Sequence, residues 1–221
     1  MFRVVVVGIV LFCSSIAIAK GQDALVKLLT DPAHQRRVID AAGRSTVLLQ
    51  NPCPSATFDI ERRFVVYKQP TFDNLGGLGD GAWKQIVDED GCGVRRVLNV
   101  LVSAQGPMNV TLIPLLPGST HADPVLQRDA VGYALAALST VPAAHEPDCA
   151  VGYVADTEFL QQEGDALPGA KGPPWRERWT LITCTKRALV PMRFIPDSTG
   201  TSISAGPTTA IELLPLSEGS H

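Results

Sequence analysis

Asp31-Pro32-x-x-Gln35-Arg36 returns 92 positions later as Asp123-Pro124-x-x-Gln127-Arg128, and Trp83 with Cys92 returns at the same shift as Trp175 with Cys184. Further along, Thr111-x-Ile113-x-Leu115-Leu116-Pro117 returns 98 positions later as Thr209-x-Ile211-x-Leu213-Leu214-Pro215. Ser45-Thr46-Val47 and Ser139-Thr140-Val141 fall between these landmarks, as do Cys53 and Cys149. The order is the same in both halves, which a tandem duplication explains and coincidence does not. The expected organisation is a lead-in helix over 20–30, a first unit over 31–117, a linker over 118–122, a second unit over 123–215 and a tail over 216–221.

Each unit reads as a helix followed by strands. Asp before Pro starts a helix, because the carboxylate accepts an orphan backbone N–H and proline suits the first turn. After Pro124 the residues Leu126, Ala130, Val131, Ala134, Leu135 and Leu138 recur at helical spacing, which predicts one buried face. The first helix is expected to be shorter and to close at Gly43, where a left-handed residue fits. Segment 57–67 is rich in β-branched and aromatic residues, and 84–90 and 94–102 flank the hairpin signal Gly91-Cys92-Gly93. The second copy offers 175–183 and 189–195, and each unit is expected to end on its Thr-x-Ile-x-Leu-Leu strand. Glycine- and proline-rich stretches at 74–81 and 168–174 precede no helix and lack Gly-Lys-Ser/Thr, so they read as strand connections rather than phosphate loops. The predicted fold is α+β: two tandem units, each a helix on about four antiparallel strands, cystatin-like by analogy of architecture.

The chain opens Met1-Phe2-Arg3, runs apolar from Val4 to Phe12 and passes to Ala17-Ile18-Ala19. A basic start, a short apolar run and an Ala-x-Ala end make residues 1–19 a secretory signal peptide with Lys20 as the first mature residue. The apolar run falls short of the roughly 20 residues a spanning helix needs, so no membrane span is expected after cleavage. Setting aside Cys13 leaves Cys53, Cys92, Cys149 and Cys184, an even set in an exported chain, and disulfides are the reading that context favours. Duplication of a single bonded unit predicts Cys53–Cys92 and Cys149–Cys184. Zinc would need Cys-x-x-Cys or clustered histidines, and neither accompanies these positions. The balance of 19 basic against 22 acidic residues gives no footprint for nucleic acid.

Pro174-Trp175-Arg176-Glu177-Arg178-Trp179-Thr180, with Cys184, Val190, Phe194, Pro196-Asp197 and Gly200-Thr201, resembles a motif in small uncharacterised exported proteins of α-proteobacteria. The resemblance covers one hairpin of the second unit, and it implies export and bacterial origin without an assigned chemistry. The first copy departs from it, with Lys84-Gln85 in place of Arg-Glu and no second tryptophan.

Catalytic constellations are sparse. His34, His121, His145 and His221 sit apart in the sequence, and no Gly-x-Ser-x-Gly elbow is present. His145 with Glu146 and Asp148, His121 with Asp123, and the carboxylate pairs Asp59/Glu61 and Glu158/Glu163 are the candidate acids and bases. Trp83, Trp175 and Trp179 read first as packing anchors; their binding alternative is an aromatic surface for a glycan or peptide. These readings predict a periplasmic or secreted non-enzymatic protein with a binding or structural accessory role, without cofactor or metal, whose partner is a protein or glycan of the cell envelope. The alternative is a small secreted hydrolase using loop carboxylates or His145.

Overall fold

A computed structural model of the chain describes residues 23–48, 53–144 and 152–216. The expected signal segment 1–19 and the residues His145, Glu146, Asp148, Cys149 and His221 lie outside the described residues. A helical stretch over 23–30 (α1) leads into α2 (Pro32–Leu48), followed by β1 (Thr57–Lys68), β2 (Asp80–Gly91), β3 (Val94–Gln105) and β4 (Val110–Pro114). The second half begins with α3 (Pro124–Ser139) and continues through β5 (Tyr153–Gln162), β6 (Trp175–Ile182), β7 (Lys186–Pro196), β8 (Thr201–Ala205) and β9 (Glu212–Pro215). The fold is α+β with two antiparallel sheets. The first is a meander in the order β1-β2-β3-β4; the second runs β5-β6-β7-β8, with β9 also paired to β7.

Both helices start at the Asp-Pro pairs. Asp31 accepts the N–H groups of Ala33 at 3.2 Å and His34 at 3.3 Å, and Asp123 accepts those of Val125 and Leu126, both at 2.9 Å. The expected stop at Gly43 is corrected: α2 runs through it to Leu48. Ala41, Ala42 and Ser45 are all buried, hence the buried face of the helix continues past Gly43. Val38, Ala41 and Ala42 pack over Trp83, Val87, Leu98, Val100 and Val102. Ala130, Ala134 and Leu138 of α3 pack over Trp179, Leu181, Val190, Met192 and Phe194. Alanines on both helices let the sheet face carry the bulk, so each tryptophan fills volume that a helical leucine would otherwise occupy.

The β2–β3 hairpin turns on Cys92 (φ 50°) and Gly93 (φ 74°) between the paired residues Gly91 and Val94. Two positive φ values in a two-residue loop are the geometry that matches strand twist. Cys92 holds that conformation while bonded to Cys53, Cα to Cα 5.9 Å, across 39 residues. Closing that loop is worth about 3–4 kcal/mol in the chain-entropy account. Cys184 is likewise disulfide-bonded; its expected partner Cys149 is outside the described residues.

In the central hairpins Trp83 pairs with Val102 and Trp175 with Phe194. The C-terminal motifs do not correspond. Thr111 lies in β4 opposite Ser103, whereas Thr209 lies in the 3-10 turn Thr208–Ala210 ahead of β9. Along β3 the chain continues past β4, with the Leu115 N–H on the Asn99 carbonyl at 2.8 Å. Along β7 the path is split: β8 pairs with Met192 to Pro196, β9 with Lys186 to Leu189. Pro191 sits at the break, where a missing N–H costs no ladder bond.

Candidate functional site

Two halves folded on their own helices leave the other face of the first sheet to cover. Cross-strand pairing sets Val65, Lys84, Leu101 and Ile113 in one row. That row is on the face opposite Trp83, Val102 and Leu112, which turn toward α2. The linker 118–122 lies against Lys84 of this row, for the Lys84 ammonium donates to the Thr120 carbonyl at 3.3 Å.

Polar residues pin that linker from both sides. Gly118 (φ 95°) donates its N–H to the Val97 carbonyl at 2.8 Å, and the Asn99 amide donates to the carbonyls of Leu116 at 2.8 Å and Gly118 at 2.9 Å. From the second half, Thr157 on β5 donates its hydroxyl to the Pro117 carbonyl at 2.5 Å and accepts the Thr120 N–H at 3.2 Å. Its carbonyl accepts the Ser119 N–H at 2.6 Å. Gln127 of α3 accepts the Leu116 N–H at 3.1 Å and donates to the Ala122 carbonyl at 2.8 Å. Each buried backbone group here would otherwise lose its water without a partner.

Glu177 completes the seam. It has no exposed surface, although β6 presents it between Trp175 and Trp179 on the α3 side. Its Oε1 accepts the Trp175 indole N–H at 2.8 Å and the His121 backbone N–H at 2.9 Å; Oε2 accepts the Trp179 indole N–H at 2.7 Å. Lys84 of the first half feels this charge: burial lowers its pKa, and Glu177 works in the opposite direction. The His121 ring stacks on Phe159 with centroids 3.7 Å apart, its pKa lowered by partial burial.

The first half places a neutral pair at the corresponding point. Gln85 accepts from His34 Nε2 at 2.9 Å, and burial draws the imidazole below its ordinary pKa of 6.5. The unfolded chain therefore takes up this proton more readily than the folded one. Stability from His34 is complete above pH 6.5 and is lost as pH falls through the depressed folded value. A His34→Gln variant should show a flatter acid limb in a series of urea unfolding curves below pH 6.5; an unchanged limb would clear His34 of this role.

Where the linker bends away, the halves leave a cleft of about 610 Å³. Leu101 and Ile113 line it from the first sheet, Leu115 and Leu116 from the chain beyond β4, Val131 from α3 and Val154 from β5. Pro114, Pro117 and Pro124 add further aliphatic surface, and Tyr153 is the one aromatic side chain lining it among the described residues. Polar side-chain groups are few: those of Ser45, Gln127, Arg128 and the Tyr153 hydroxyl. The Ser45 hydroxyl is buried and has no hydrogen-bond partner among the described residues. Gln127 is committed to the linker, and Arg128 pairs with Asp129 at 3.0 Å in an exposed contact.

The aromatic-surface reading of Trp83, Trp175 and Trp179 is corrected by their placement. Trp83 and Trp179 are fully buried under α2 and α3. Trp175 is half-buried, stacked on Phe194 with centroids 4.9 Å apart and held by Glu177. Alternation had aligned Trp175, Glu177, Trp179 and Leu181 correctly, but that shared face meets the helix rather than solvent. Three of the sequence-selected carboxylates are ion-paired locally, Glu61 with Arg63, Glu158 with Arg178, and Glu163 with Arg176 and Arg193, while Asp59 lies opposite Asp88 in the β1–β2 register. Among the described residues, no three His, Cys, Asp or Glu side chains gather as a metal site, and no helix is long and apolar enough to cross a membrane. Sequence reasoning did not single out Lys84, Asn99, Gln127 and Thr157 as a group. The one visible signal was Glu177, an acid at a period-2 position between two tryptophans. Compared with known proteins, the chain matches no protein-family model, no curated protein and no solved structure.

Proposed function

We propose that this chain is an exported binding protein of the bacterial periplasm, non-enzymatic, whose ligand site is the cleft between its halves. The observation that carries this reading is the cleft itself: about 610 Å³, aliphatic on nearly every side, with a few polar groups at fixed places. That volume and chemistry belong to small-molecule sites, which run from roughly 300 to 1,000 Å³. Export is supported by the basic start, apolar run and Ala17-Ile18-Ala19 ending, and by the Cys53–Cys92 disulfide. The likeness of the Pro174–Thr180 stretch to exported proteins of α-proteobacteria is part of the same proposal.

The two halves, on this account, descend from one cystatin-like helix-plus-meander unit. Supporting it are two Asp-Pro helix starts and two tryptophans at matching central register, all 92 positions apart. Duplication then has a functional consequence, because a cleft between copies is a site neither copy has alone.

The test uses the mature chain and the neutral apolar dye N-phenyl-1-naphthylamine. Saturable fluorescence enhancement is expected for the wild type, with affinity weakened about tenfold or more by Ile113→Trp, since a cavity-filling side chain displaces the ligand. Ile113 is 44% exposed at the cleft edge, so the substitution leaves both cores intact. Dye binding that is absent, or that is indifferent to Ile113→Trp, would overturn the reading.

A further inference from the structure

The two sulfurs of the Cys53–Cys92 bond sit in unlike surroundings. Cys92 is exposed at the tip of the β2–β3 hairpin, and it is the one non-glycine residue with positive φ among the described residues. Cys53 is half-buried, and Gly91 crowds it: a Cβ on that glycine would stand 2.9 Å from Cys53 Sγ and 2.7 Å from Ala56 Cα. Attack on a disulfide depends on access to the sulfur, so Cys92 is the open one.

Ser55 is set beside the same bond. The turn over 53–56 closes with the Ala56 N–H on the Cys53 carbonyl at 3.1 Å. It brings Ser55 Oγ to 3.4 Å from Cys53 Sγ and 3.7 Å from Cys92 Sγ. Bonded sulfurs carry no hydrogen, so the hydroxyl is the donor in both contacts. A neutral sulfur accepts weakly, whereas a hydrogen bond to an ionised acceptor is roughly twice as strong as a neutral one. The hydroxyl is therefore worth most when a sulfur departs as an anion, and Cys53 is the nearer of the two. Exchange runs faster when the departing thiol is the more stable anion. We propose that Cys92 is a site of reversible S-thiolation by a low-molecular-mass thiol of the cysteine or glutathione type. The external thiolate attacks Cys92 Sγ, a new S–S bond forms as the Cys53–Cys92 bond breaks, and that bond's electron pair leaves on Cys53, where Ser55 donates to the thiolate. Return attack by Cys53 on Cys92 expels the added thiolate and restores the disulfide, with no oxidant or reductant consumed. The result is a reversible cap on Cys92, independent of the cleft.

The experiment treats residues 20–221 with reduced glutathione, quenches by alkylation at timed intervals and locates the products by peptide mass spectrometry. Glutathione is expected on Cys92 and the alkyl group on Cys53. Ser55→Ala should slow formation of this adduct about fivefold, through the lost hydrogen bond to the departing thiolate. Ser55→Thr keeps the hydroxyl and should keep the wild-type rate. Both variants should unfold in urea at the wild-type midpoint, because Ser55 is exposed and exposed substitutions of this kind change stability little. A merely structural hydroxyl would show the reverse, a lowered midpoint for Ser55→Ala with an unchanged rate. That result would overturn the proposal, as would glutathione on Cys53 in place of Cys92, or no adduct on either.

Discussion

Gly118→Ala should destabilise the protein by about 3 kcal/mol or more, the sum of a left-handed backbone imposed on an L side chain and of overpacking against a fixed neighbour. Gly118 has φ 95°, and a Cβ there would fall well inside van der Waals contact of the Thr157 carbonyl oxygen and meet its nitrogen at 2.6 Å. Both obstacles are β5 backbone, so no rotamer change relieves them. The contrasting substitution is Gly43→Ala. Gly43 lies inside α2, and a Cβ there meets nothing within 4 Å. Alanine should therefore stabilise by about 0.5–1 kcal/mol, the helical advantage over glycine. Urea unfolding midpoints read both. A tolerated Gly118→Ala would mean that the linker is not held between β3 and β5 as described.

The second large effect belongs to Glu177. Glu177→Ala orphans two indole N–H groups and the His121 backbone N–H, and it leaves Lys84 buried without its nearby counter-charge. Removing one partner of a buried charged cluster costs about 3–5 kcal/mol. Glu177→Gln keeps the shape and an acceptor, so its loss should be smaller. A double-mutant cycle with Lys84→Met should give a coupling of about 0.5 kcal/mol or more, because the two charges belong to one network. Additive losses would place Lys84 outside that network.

Much of this molecule was legible from local chemistry. Asp31-Pro32 and Asp123-Pro124 mark helix starts through caps that act within three residues, and Gly91-Cys92-Gly93 marks a turn through backbone conformation alone. β5 was not legible: its register shifts between Val154 and Asp156 and between Phe159 and Gln161. Each shift breaks the period of two on which strand reading depends. β8, Thr-Ser-Ile-Ser-Ala, is short and polar. The Thr-x-Ile-x-Leu-Leu-Pro repeat misled because β7 is shared at Pro191: β9 pairs only with Lys186 to Leu189 and leaves Thr209 in the turn ahead of it, whereas β4 pairs without a break along Val100 to Ala104. The candidate site was hidden for a deeper reason. Its lining comes from α2, the β4 extension, α3 and β5, and no local pattern announces how two helix-on-sheet halves meet.

The central claim is that a polar seam joins these halves into one body and so forms the cleft. Differential scanning calorimetry of residues 20–221 tests it most directly. The account predicts a single transition whose calorimetric and van't Hoff enthalpies agree, moved to lower temperature as one peak by Glu177→Gln. Two resolved transitions, with Glu177→Gln shifting only one of them, would show that the halves unfold independently and would contradict the account.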